Sequence, residues 1–189
     1  MSFFRIDRRT LLLMTALFSS LNHAHQKAPV KPAGNAAQAA PAIQQQAPAT
    51  NGITQAAVQQ GVLNCASRIN QVTNFLGFTA QAGAVLMTPP NAQDQRLIPL
   101  AMEIPIESGS AYVSVQFAPN QANGCGAAYD AVVYWPQKCD AVAAKQFAAL
   151  KKIGQMKKDI SVLDGGLATK VFLMPAGSGC VSIKKEVVL

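Results

Sequence analysis

The stretch Ala111-Tyr112-Val113-Ser114-Val115-Gln116-Phe117 decides the fold. Its apolar residues fall at every second position, with Tyr112, Ser114 and Gln116 between them. Successive side chains of a strand point to opposite faces, so this alternation predicts a strand with one buried face and one wetter face. Gly109-Ser110 just before it fits a turn, residues 119–126 read as a loop, and residues 128–135 read as a second strand that Pro136 ends.

Working outward toward the N-terminus, residues 97–106 are apolar but broken by Pro99 and Pro105, which suits an edge strand or a bulge. Residues 84–87 form a short apolar run before Pro89-Pro90. From 54 to 76 the period changes: Val62, Cys65, Ala66, Ile69, Val72 and Leu76 recur at three- and four-residue steps, predicting a helix with a division at Gly61 and a stop at Gly77. Toward the C-terminus, residues 139–152 return to helical spacing, with Val142, Ala143, Phe147 and Leu150 inward, lysines outward and Gly154 as the cap. A short strand at 160–163, an Asp164-Gly165 turn and a hairpin of 167–174 with 180–188 complete the chain. The expectation is α+β: a mainly antiparallel sheet with an N-terminal helix and a second helix before a C-terminal β-hairpin. No internal repeat is evident. The element order resembles that of several small α+β sheet folds, profilin-like ones among them; no motif identifies a family.

The first residues predict a compartment. Arg8 and Arg9 precede the apolar run 11–21, and Ala24 follows, which is the pattern of a secretory signal cleaved after residue 24. The run is too short to span a membrane, which takes about 20 apolar residues. Arg8-Arg9-Thr10-Leu11-Leu12 also loosely matches the twin-arginine export consensus, so either a Sec or a twin-arginine route is open. Residues 25–52, built from Ala, Pro, Gln, Lys and Gly without an aromatic residue, predict a disordered tether. Residues 53–189 have the length of a single domain.

An exported chain with an even set of cysteines, Cys65, Cys125, Cys139 and Cys180, predicts two disulfides. The pairing favoured from spacing is Cys125–Cys139, closing a short loop across one strand, and Cys65–Cys180, tying the first helix to the last strand. No Cys-x-x-Cys occurs and both histidines, His23 and His25, lie outside the domain, so no zinc site, redox pair or other cofactor is expected.

Without a histidine in the domain, Ser–His–Asp and Cys–His catalysis have no base. Gly177-Ser178-Gly179 lacks the nucleophile-elbow spacing and reads as a turn. Two carboxylates remain a possible hydrolytic pair, with Asp130 as the first candidate because it sits among apolar strand residues; an alternating strand would instead turn Asp130 and Val132 outward. The net charge of +7 is uneven, with Lys151, Lys152, Lys157, Lys158, Lys184 and Lys185 in the C-terminal third. Such a run suits an anionic glycan or lipid, or simply solvated faces and protected edges. Tyr112, Phe117, Tyr129, Tyr134 and Trp135 are the aromatic candidates for a surface that binds a protein partner, with Trp135 before Pro136 the leading single anchor. No nucleic-acid motif and no transmembrane segment are evident. The reading is a non-enzymatic exported binding module for another envelope or extracellular macromolecule. The alternatives are a Lys-rich glycan or lipid binder (Lys151, Lys152, Lys184, Lys185) and a carboxylate-dependent hydrolase.

Overall fold

The computed structural model describes residues 50–188. The expected signal and most of the expected tether lie outside them. Two helices open the described chain, α1 (Gly52–Gln59) and α2 (Ala66–Phe75). Asn51 caps α1: its side chain accepts from Thr54 N and donates to Thr73 Oγ1 and Asn74 Oδ1 of α2. Residues 51 and 52, expected in the tether, therefore belong to the folded domain. Gly61, at φ +84°, turns the chain between the helices, and Asp94 Oδ1 accepts from Leu63 N and Asn64 N to hold that turn. Gly77 ends α2 in a Schellman arrangement, with Phe78 N bonded to Thr73 O and Gly77 N to Asn74 O.

Four strands follow: β1 (Gly83–Leu86), β2 (Ile98–Ile106), β3 (Gly109–Asn120) and β4 (Gly124–Trp135). A helix α3 (Cys139–Gln146) then leads to four more: β5 (Lys151–Gln155), β6 (Ser161–Asp164), β7 (Thr169–Ala176) and β8 (Gly179–Val188). All pair antiparallel in one eight-stranded sheet of order β1-β2-β3-β4-β8-β7-β6-β5.

Three expectations change. β2 is an interior strand, not an edge, but β1 pairs only its Leu100–Glu103 stretch, so Pro99 and Pro105 flank the part that needs ladder donors on that side. β3 and β4 run almost to the tip of their hairpin, so the expected loop shrinks to residues 121–123. The helix expected over 139–152 stops at Gln146, and Lys151–Gln155 becomes the edge strand β5.

The strand order is a palindrome, and it exposes a repeat the sequence conceals. Each half has a helix, α2 or α3, followed by a four-stranded meander, with α1 an addition to the first half, and the two last strands, β4 and β8, pair at the centre. Each half has a cysteine where its helix starts, Cys65 or Cys139, and another at the second residue of its last strand, in Gly124-Cys125 or Gly179-Cys180. The halves differ in strand length, and little else in sequence matches, so no fixed period appears. Matching Cys125 to Cys180 and running both strands forward places Asp130 on Lys185. These two are also register partners, so the pseudo-two-fold passes between them.

The disulfides are Cys65–Cys125 and Cys139–Cys180, each with Cα atoms 5.0 Å apart, which corrects the expected pairing. β4 runs from Cys125 away toward Cys139, and ten strand steps cover about 33 Å, far beyond disulfide reach. Cys180 lies opposite Trp135, at the other end of β4 from Cys125, so it cannot serve Cys65 either. Each bridge instead ties a helix start to the last strand of its own half.

All three helices cover one face. Ile69 and Val72 of α2 and its C-cap Leu76 share a core with Leu100, Met102, Val113, Val115, Phe117 and Tyr129. Val142 of α3 and Phe147 share a smaller one with Leu163, Val171, Leu173 and Cys180. Trp135 packs against both cores, and its Nε1–H donates to the buried Ser182 Oγ at 2.7 Å.

Candidate functional site

Among the described residues, no helix lies over the second face of the sheet. Period two sends Tyr112 of β3, Val132 and Tyr134 of β4, Val181 and Ile183 of β8, Phe172 and Met174 of β7 and Val162 of β6 to this face. The register places Tyr112, Val132, Ile183, Phe172 and Val162 in one row across five strands, with Tyr134, Val181 and Met174 in the next. The result is a continuous apolar shelf. Tyr112 and Tyr134 stand highest on it, 54% and 51% exposed. Tyr134 is seated by Gly179: a Cβ there would lie 2.6 Å from the Tyr134 hydroxyl oxygen.

Beside the shelf runs an ionic row, Asp130, Lys185, Lys170, Asp164 and Lys151, again one residue per strand. Lys185 Nζ lies 2.6 and 2.9 Å from the two Asp130 oxygens, and Lys170 Nζ lies 2.8 Å from Asp164. The hydrogen bond from Lys170, with the Gly166 N–H and the Lys170 and Lys151 charges, holds the Asp164 carboxyl below its ordinary range. Asp130 does point outward with Val132. The other carboxylate in its row, Asp164, is three strand spacings away, about 14 Å, well outside the roughly 5–9.5 Å of a hydrolytic pair.

The sequence candidates separate. Tyr134 is on the shelf, whereas Trp135 is turned to the other face and buttresses both cores. Lys151 and Lys185 face the open side; Lys184 and Lys152 face the helix side, where Lys152 lies 3.8 Å from Asp140 of α3. The lysines thus form no single patch. Sequence reading grouped Tyr112 and Tyr134 with Phe117, Tyr129 and Trp135, which the sheet turns to the helix side, and did not join Val132, Ile183 and Phe172 into a surface, because the shelf assembles only through cross-strand register.

On the helix side, the seam between the two cores is polar. Lys184 Nζ donates to Tyr129 Oη at 2.7 Å and lies 2.5 Å from Glu186 Oε2, while Tyr129 Oη donates to Glu186 at 2.9 Å. The Lys184 ammonium also sits 5.3 Å from the centre of the Tyr129 ring. Burial pushes the Tyr129 phenol far above its ordinary value, and the Glu186 charge and hydrogen bond push it further. The folded chain therefore keeps a proton that the unfolded chain loses above about pH 10. The stabilisation from this group is complete below that pH and falls above it by about 1.4 kcal/mol per pH unit, until the folded phenol ionises. Denaturant midpoints for wild type and Tyr129→Phe should diverge less and less as pH rises from 9 to 11; a constant gap would show that the phenol is not shifted.

Among the described residues no helix is long and apolar enough to cross a membrane, and no cluster of three metal-ligating side chains occurs. No family model, curated protein or solved structure matches the chain.

Proposed function

We propose that this is an exported, non-enzymatic interaction module that docks another protein surface on its open sheet face. The carrying observation is the continuous apolar shelf with two half-exposed tyrosines. Amphipathic aromatic residues rich in contact area and poor in rotamers are typical interface anchors. The two disulfides support an oxidising compartment, and the cationic, apolar start of the chain supports export through a signal peptide. The distribution of lysines over both faces and their carboxylate partners favour this reading over an anionic glycan or lipid.

The test is capture of envelope proteins on the oxidised chain at low and high salt, against Tyr112→Glu and Tyr134→Glu. Both tyrosines are over half exposed, so the variants should fold with wild-type midpoints. A protein held at high salt by wild type and lost from both variants is the expected result. Retention unchanged by either variant, or only at low salt, would remove the shelf as the docking surface.

A further inference from the structure

We infer that the open face receives a second copy of this chain, in a symmetric face-to-face dimer; this rests on the docking reading above. Consider a two-fold axis lying parallel to β4 and β8, midway between them and just above the open face. It brings each residue of one strand over that residue's own register partner in the other copy. Asp130 then meets Lys185 of the second copy, and Lys185 meets its Asp130. Val132 meets Ile183, Tyr134 meets Val181, and Tyr112 meets Phe172, each pairing occurring twice. Nearest the axis, charge falls on opposite charge and apolar surface on apolar surface; farther out Lys170 meets Ser114 and Glu103 meets Val162.

The alternative axis, perpendicular to the strands, stacks Asp130 on Asp130 and Lys185 on Lys185, and carries the shelf over the Ala128–Gln116 end of the face. The surface is thus self-complementary in one orientation and repulsive in the other. Aligned sheets pack at about −30°, which displaces distant rows but leaves the residues nearest the axis, Asp130, Val132, Ile183 and Lys185, in register. The four strands β3, β4, β8 and β7, two on each side of the axis, offer roughly 19 Å by 30 Å, about 570 Å² of flat area, and side-chain relief brings this toward the ~800 Å² per partner of a standard interface.

The decisive experiment is charge exchange, read by sedimentation and native mass spectrometry over a micromolar concentration series. Wild type should be a dimer. Asp130→Lys puts lysine at both positions of every copy and Lys185→Asp puts aspartate at both, so each variant alone should dissociate about a hundredfold more readily. The intramolecular pair lost in each is partly exposed, Lys185 56% and Asp130 35%, and like charges directly opposite in one copy are mildly destabilising, so both variants should stay folded with midpoints slightly below wild type. Mixed in equal amounts, they should form a heterodimer, because lysine at 130 then faces aspartate at 185 across the interface and the native contact is restored on the other side. No contact within one copy can produce that rescue.

A monomeric wild type overturns the inference, as do single variants that dimerise like wild type or a mixture that stays monomeric. If wild type is monomeric yet captures a different protein in a Tyr134-dependent manner, the second copy is wrong and the docking face stands. If it is monomeric and captures nothing through that face, both fall.

Discussion

Replacing Cys139 and Cys180 together by serine should lower the stability of the domain by about 4 kcal/mol, and replacing Cys65 and Cys125 together should do about the same. The bridges span 41 and 60 residues, and in the chain-entropy model closed loops of these lengths both fall near 4 kcal/mol. The consequences should nevertheless differ. Six buried residues make up the core of the second half, whereas the first half holds most of the rest, so the same loss is a larger fraction of what keeps the second half folded. Only one residue of α3, Val142, is buried, and an eight-residue helix has little stability of its own. Without Cys139–Cys180, amides of α3 and β5 should exchange fastest in hydrogen exchange while β2–β4 remain protected. Unfolding midpoints measure the loss, and a non-reducing peptide map should show only Cys65–Cys125 and Cys139–Cys180 linkages. A 125–139 linkage, or serine pairs within about 1 kcal/mol of wild type, would overturn the arrangement of two self-braced halves.

What the sequence disclosed depended on whether a signal was local. Burial on one face wrote a period of two into β3 and β4, and Gly77 announced the end of α2 through the backbone conformation it alone adopts cheaply. The strand β5 wrote nothing, because all of Lys151–Gln155 is exposed and no face is selected for apolar residues. Ala and Lys are good helix formers, so the run from Cys139 through Lys152 reads as one helix, and only pairing of Lys151 with Asp164 and Lys152 with Leu163 overrides that preference. The cysteine pairing and the repeat are equally non-local, fixed by which strand ends meet. Tyr134 and Trp135 are adjacent in a strand, so they cannot both belong to one surface. The sheet makes Tyr134 a shelf residue and Trp135 a core residue for that reason alone.

Gly179→Ala should cost about 3 kcal/mol, near the top of the usual range for an overpacked site. The residue is buried, and a Cβ on it would lie 2.3 Å from the Trp135 carbonyl oxygen as well as 2.6 and 2.8 Å from Oη and Cζ of Tyr134. The Tyr134 ring can swing away from a methyl group, but a backbone oxygen can retreat only if β4 and β8 separate. That separation would occur beside the Trp135–Cys180 pairing, where Cys180 is already anchored to Cys139. The two obstacles can be told apart. Tyr134→Ala in the Gly179→Ala background removes the ring and leaves the carbonyl, so it should recover little of the lost stability; full recovery would show that the ring alone was in the way. The same methyl group should unseat Tyr134 from the shelf, so Gly179→Ala should weaken self-association even below its unfolding transition. Ser178→Ala, one residue earlier in the exposed turn, should change neither quantity. A Gly179→Ala protein within about 1 kcal/mol of wild type, still associating normally, would mean that the close approach of β4 and β8 at this glycine is not what positions Tyr134.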